Sequence, residues 1–228
     1  MSDETLSNLW SQEYEGSGEY LQKIEDHFNE QNYSRERWAT HSESSHNLIP
    51  YVNNLKPNLV LDIGCGTNPY KGEIDNVIGM DLGNYPEADI NLSCNRVHEL
   101  GIFQPGCADV VMALGSINFG SFEDIKTQIG ICIDWCKPGG QLIMRCRLGK
   151  DNPHNRDAQG RHLFKTFNQH PWKWDQIYEI TEYFKDRVEF LHEPVPETAA
   201  GGDNKGAGHG KPDHSRKIDL AVWYWRKL

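Results

Sequence analysis

Residues 59–69 read Leu59-Val60-Leu61-Asp62-Ile63-Gly64-Cys65-Gly66-Thr67-Asn68-Pro69, an apolar run that breaks into a glycine turn. A short aliphatic run bounded by turn residues predicts a strand buried on both faces, as in the middle of a parallel sheet. The glycines that follow let the backbone turn tightly and come close to a ligand. N–H groups exposed in such a turn can meet an anion. Dinucleotide sites use Gly-x-Gly-x-x-Gly, whose third glycine admits close helix–strand packing. Here that position is Pro69, which argues against a dinucleotide. The acid within the run, Asp62, favours a ligand that brings a cationic amino group.

The rest of the chain alternates strands with helices. Residues 1–18 form a polar arm without periodicity, and Leu21, Ile24 and Phe28 mark one face of a short helix. A helix over 44–55 aligns Leu48, Val52 and Leu55 before Lys56-Pro57 stops it. Strands are predicted at 77–80, 88–92, 109–114 and 141–146. Ser121 and Asp124 form a capping box that opens a helix with Ile125, Ile129, Ile133 and Cys136 on its buried stripe, ended by Lys137-Pro138-Gly139-Gly140. A last helix starts near Pro171 with Trp174, Ile177, Thr181 and Phe184 in line, and strands at 188–192 and 218–225 close the chain. The expected fold is α/β: a Rossmann-like, mostly parallel sheet of about seven strands with an antiparallel C-terminal strand and helices on both faces. Residues 1–57 supply an arm and helices to the same domain as 58–228.

At 228 residues one domain is expected. No apolar run reaches the about 18 residues of a membrane span. The polar, acidic N-terminus lacks the pattern of a signal peptide, so a cytoplasmic location is expected. Six cysteines without Cys-x-x-Cys spacing read as reduced core residues, and no metal site is expected. The formal net charge of −10 argues against a general nucleic-acid surface. Basic residues nonetheless gather after residue 144: Arg145, Arg147, Lys150, Arg156, Arg161 and Lys165 stand against two acids, Asp151 and Asp157.

Five elements in order, from about residue 59 to 146, resemble the class I S-adenosylmethionine (SAM)-dependent methyltransferases. The glycine turn resembles their first motif, and Val77-Ile78-Gly79-Met80-Asp81 their second. Ala88-Asp89-Ile90 is similar to the third, and the runs at 109–114 and 137–143 to the strands that follow. The resemblance implies SAM as cofactor. It implies that Gly64, Cys65 and Gly66 pass beneath the methionine part, with Asp62 near its ammonium. Asp81 would accept both ribose hydroxyls, with Leu82 beside it. Asp89 would face the adenine amino group, Ile90 would lie at the ring edge, and Leu114 and Gly115 would flank the cofactor. The ten residues between Gly66 and Val77 leave the first crossover helix short or irregular. The seven between Asp81 and Asp89 leave no room for a second helix there.

The basic stretch 145–165 follows the fifth strand of that topology, and the loop 199–217 adds Lys205, His209, Lys211, His214, Arg216 and Lys217 at the same rim. Arg156, Arg161 and Lys165 are therefore candidate ligands of an anionic acceptor, either a small molecule or a nucleotide. After the fourth strand, Gly115-Ser116-Ile117-Asn118-Phe119 lacks the two prolines of amino-methylating DNA enzymes, and Asn118 is a candidate to orient an acceptor. His154, His162 and His170 are candidate bases, because imidazole titrates near neutral pH. A catalytically silent fold that serves as an interaction module, with a protein partner on the N-terminal arm, is the alternative reading. The oligomeric state stays open.

Overall fold

The computed structural model describes residues 48–118, 120–148, 170, 172–200 and 217–228. The arm, the first predicted helix, most of the basic stretch 145–165 and the loop 201–216 lie outside these residues. The described elements are α1 (Leu48–Asn54), β1 (Val60–Ile63), β2 (Val77–Met80), α2 (Cys94–Glu99), β3 (Ala108–Leu114), α3 (Phe122–Trp135), β4 (Cys136–Arg147), α4 (Trp174–Tyr183), β5 (Val188–Ala200) and β6 (Lys217–Lys227).

The strands form one sheet in the order β2-β1-β3-β4-β6-β5. β1 pairs in parallel with β2 and β3, and β3 pairs in parallel with β4. β6 runs antiparallel to both β4 and β5. All four residues of β1 are buried, as an apolar run without alternation requires. The two-residue period of the strands sorts their side chains between two cores. Val60, Val110, Met112 and Ile143 pack with Val52 of α1, while Leu61, Val111, Leu142 and Met144 pack against Ile125, Ile129 and Ile133 of α3 and Ile177 and Ile180 of α4. Helices thus cover both faces.

The expected third strand is the main difference. The segment 88–92 makes a single bridge, Met80 to Ile90, so the described sheet has six strands where about seven were expected. Asp89 and Ile90 both donate to the Gly79 carbonyl at 2.9 and 3.2 Å, and the chain then leaves the β2 edge for α2. That six-residue helix was not read from the sequence. Its signal is Ser93, whose Oγ accepts the Arg96 N–H at 3.3 Å, but one turn and a half carries little periodicity. No helix occurs among residues 67–76, in line with the short crossover.

Two segments differ in detail. The Lys137–Gly140 turn is an irregularity inside β4, because the β3 register steps from Ala108–Cys136 to Val110–Gln141. Along α4 and its C-cap the buried line is Ile177, Ile180 and then Phe184, with Trp174 36% exposed. Thr181 is half-buried, and its hydroxyl donates to the Ile177 carbonyl (2.7 Å) and accepts the Trp225 indole N–H (3.1 Å). The cysteines are core residues: all but the half-buried Cys107 are buried. No described helix is long and apolar enough to cross a membrane.

The capping box of α3 is formed as read, with Asp124 N–H on Ser121 Oγ (3.2 Å) and Ser121 N–H on Asp124 Oδ2 (2.8 Å). Ser121→Ala is expected to lower stability by about 1 kcal/mol in urea denaturation, with an unchanged dependence on denaturant concentration.

Candidate functional site

The parallel register sets the C-terminal ends of β1, β2 and β3 side by side: Ile63 is level with Met80, and Asp62 with Met112. Gly64, Asp81 and Gly115 therefore leave the sheet together. Gly64 and Gly115 are exposed, and Leu82, Ile90 and Leu114 around them are half-buried.

The glycine turn uses its N–H groups on β2. Gly64 and Cys65 both donate to the Met80 carbonyl (2.7 and 3.0 Å), and Gly66 donates to Asp81 Oδ2 (2.8 Å). The N–H groups expected to meet an anion are thus already bonded, and a pyrophosphate finds no cradle in them. Asp81 Oδ1 takes the Gly83 N–H at 2.7 Å, so one carboxylate fastens both loops. Each of its oxygens keeps acceptor capacity, since an ionised carboxylate offers about four lone-pair positions. Burial raises its pKa, against the Gly83 and Gly66 N–H groups, which lower it.

Gly64 has φ +73°, and a Cβ there would lie 2.2 Å from the Cβ of Ser116. The turn and the loop after β3 touch backbone to side chain, and the Ser116 hydroxyl donates to the Ile63 carbonyl. No residue but glycine fits both the space and the dihedral. Ser116 was not singled out in the sequence.

Asp62 is buried beside this contact, 3% exposed. Burial and then the neighbouring Asp81 charge push its pKa up to about 7, against the Arg145 guanidinium, which lowers it. Arg145 itself is fixed by donating to the Leu114 carbonyl at 2.8 Å. Burial drives the Cys65 thiol far above its usual range, so this cysteine is a packing residue of the turn and not a nucleophile.

Asp89 has partners within the protein: Oδ2 accepts the Gly79 N–H and the Asn68 amide, each at 3.0 Å, and Oδ1 pairs with Lys71. Burial would raise its pKa, but the Lys71, Gly79 and Asn68 hydrogen bonds outweigh it and hold the carboxyl below its usual value. Asn68 was also missed. It has φ +51°, is 4% exposed, and lies so close over Gly79 that a Cβ there would come within 2.6 Å of its Oδ1. An asparagine two residues after a glycine turn is the available signal, because Asn tolerates left-handed backbone.

Asn118 is 2% exposed. Its amide donates to the Gly115 carbonyl, while its Oδ1 has no partner among the described residues. Its carbonyl accepts the His170 N–H at 2.6 Å. Of the three histidines considered as bases, only His170 is described; His154 and His162, like Arg156, Arg161 and Lys165, lie outside the described residues. No group of three or more metal-ligating side chains occurs among the described residues.

No protein-family model matches the chain. No curated protein matches it either. Solved structures do match. The 1,6-didemethyltoxoflavin-N1-methyltransferase of Burkholderia thailandensis, solved with 1,6-didemethyltoxoflavin and S-adenosylhomocysteine (SAH), aligns over 92% of this chain and 89% of its own, at 10% identity and a TM-score of 0.62. A SAM-dependent methyltransferase of Archaeoglobus fulgidus aligns over 86% and 95%, at 16% identity and a TM-score of 0.55. A phosphoethanolamine N-methyltransferase of Haemonchus contortus, solved with phosphomonomethylethanolamine and SAH, aligns over 89% of this chain and 60% of its own, at 14% identity and a TM-score of 0.54. The chain has the class I SAM-dependent methyltransferase fold. In the order of that methyltransferase fold, the Gly64–Gly66 turn ends the first strand and Asp81 the second, as the motif order anticipates.

With a folded-state pKa near 7 and an ordinary unfolded value, Asp62 holds its proton more tightly in the folded chain. The wild type is therefore expected to lose stability as pH rises from about 4 to 7. Asp62→Asn removes that penalty. It is expected to be more stable than wild type by roughly 2–4 kcal/mol at pH 8 and no more stable at pH 4, read from urea denaturation at the two pH values.

Proposed function

We propose that the chain is a SAM-dependent methyltransferase whose acceptor carries negative charge. The observation that supports it most is the bonding of the glycine turn. Its three N–H groups are committed to Met80 and Asp81, while Gly64 and Gly115 present bare backbone and Asp81 retains acceptor capacity. Such a site suits a ligand with a vicinal diol and an uncharged, closely packed linker better than one with phosphates.

These residues fit SAM. Asp81 would take the ribose hydroxyls on the lone pairs that Gly66 and Gly83 leave open. Gly64 and Gly66 would lie beneath the methionine part, with Cys65 packing the turn from below. Asp62, half-protonated near neutral pH, would ionise against the ammonium, which lowers its pKa. Leu82, Ile90, Leu114 and Gly115 would close around the adenosine. Asp89 already bonds Gly79, Asn68 and Lys71, so we assign it the support of the β2 edge as well as a place near the adenine amino group. When bound, SAM supplies an electrophilic methyl group. The protein then holds the acceptor in line and excludes water.

Negative charge on the acceptor is inferred from the basic stretch after β4, where Arg156, Arg161 and Lys165 follow Arg145. The Haemonchus contortus enzyme was solved with a phosphate-bearing compound, phosphomonomethylethanolamine, which supports this reading.

Isothermal titration with SAM and SAH tests the cofactor. The wild type is expected to bind in the micromolar range, and Asp81→Ala to bind at least about 10-fold more weakly, the loss of a charge-assisted hydrogen bond. A folded wild type that binds neither would leave the interaction-module reading, with the N-terminal arm as the surface to test. For the acceptor, reversing Arg156, Arg161 and Lys165 to Glu is expected to lower turnover of phosphate-bearing acceptors by about 10-fold or more in a radiolabelled methyl-transfer screen, with SAM affinity unchanged. Unchanged turnover would remove the anionic acceptor from the proposal.

A further inference from the structure

Gln176 is the third residue of α4, and its side chain does two things. Oε1 accepts the backbone N–H of Lys173 at 2.9 Å, which caps the helix, and the same oxygen lies 3.1 Å from His170 Nε2. A backbone N–H can only donate, so the cap decides which end of the Gln176 amide faces Lys173. It follows that the group facing His170 is an acceptor, and that His170 Nε2 must carry the hydrogen. Nδ1 is then left with its lone pair, and no described residue donates to it.

The ring is held in place. It stacks on Phe122 with centroids 5.3 Å apart and planes 18° apart, and meets Trp172 edge-on at 5.5 Å. Its backbone N–H is bonded to the Asn118 carbonyl at 2.6 Å, on the loop that continues from Gly115. Asn118, buried on that loop, carries the Oδ1 that lacks a partner among the described residues. A buried amide oxygen without a hydrogen-bond donor is costly, and it marks a place where a bound molecule can supply one. The imidazole and an unused amide acceptor thus meet on the loop that follows Gly115, whose carbonyl accepts the Asn118 amide.

We propose that His170 is the base of the transfer and Asn118 the residue that orients the acceptor, with Gln176 as a positioning residue that sets the histidine tautomer. This rests on the methyltransferase reading above. The acceptor is then a molecule whose nucleophilic atom bears a hydrogen and is weakly acidic, such as a phenolic hydroxyl or a ring N–H. As its lone pair forms the bond to the methyl carbon, the carbon–sulfur pair remains on sulfur. The acceptor's proton passes to His170 Nδ1, giving methylated acceptor, SAH and an imidazolium that loses its proton to water. Burial, with Lys173 nearby, lowers the His170 pKa against the Gln176 hydrogen bond, which raises it, so the ring is neutral before the reaction. Lys173 on its own segment is the charged group that acts on the ring; the packed elements carry Asp175 in the first turn of α4 and Glu123, Asp124 and Lys126 in the first turns of α3. Asp124 is held by Ser121, and Lys126 lies 4.9 Å from the Phe122 ring centroid.

The test needs no acceptor, because SAM carries a positive sulfonium and SAH does not. In ¹⁵N-histidine-labelled protein, His170 is titrated by NMR alone and in its SAM and SAH complexes, with occupancy of each confirmed by calorimetry. The Nε2–H tautomer is expected, with a midpoint below 6.5 that is lower in the SAM than in the SAH complex by about one pH unit, the effect of a nearby cation. Gln176→Leu is expected to let the Nδ1–H tautomer appear. Gln176→Glu keeps a cap and is expected to raise the midpoint by about one unit while preserving the SAM–SAH difference. An Nδ1–H tautomer in the wild type, or equal midpoints in the two occupied complexes, overturns the proposal and leaves the cofactor site standing. A folded protein that binds neither compound overturns the methyltransferase reading and this one with it.

Discussion

The parallel pairing of β1 with β2 on one side and β3 on the other constrains everything else in the molecule. Parallel neighbours need crossovers over the sheet faces, so helices must cover both faces, and β1 must be apolar on both. The same pairing brings three strand ends to one edge. A glycine turn, a carboxylate and a second glycine, far apart in sequence, meet there because Ile63 and Met80 are level in the register.

The chemistry of that edge follows from where its N–H groups go. A glycine turn with open donors would invite phosphate. Here Met80 and Asp81 take those donors, and the turn becomes a smooth wall with a carboxylate beside it. Asp62 and Asp81 share one buried corner, and burial with the Asp81 charge pushes the Asp62 pKa up to about 7 against the Arg145 guanidinium. A cation placed in that corner would lower the Asp62 pKa.

The readable parts were those with strong local signals. The apolar run of β1, the Ser121–Asp124 box and the order of the glycine and acidic motifs all describe one segment each, and each recurs in the structure. The parts missed depend on distant partners. The segment 88–92 has the composition of a strand but meets β2 over one bridge. Asn68 matters through Gly79 and Asp89, and Ser116 through Gly64, neither of which sequence spacing connects. Thr181 sits on the helical stripe by period, yet its hydroxyl is held by Trp225, a residue 44 positions away.

The sequence alone determined the alternation of elements, the buried first strand, the glycine turn and the acids that end the first two strands, because periodicity, capping and turn chemistry act over a few residues. Tertiary structure alone decided which donors of the glycine turn are already taken, that the His170 backbone N–H meets the Asn118 carbonyl, and that Asp89 is held by Gly79, Asn68 and Lys71. Those are questions of hydrogen bonds between segments, and a hydrogen bond exists only once the fold has brought its donor within about 3 Å of its acceptor.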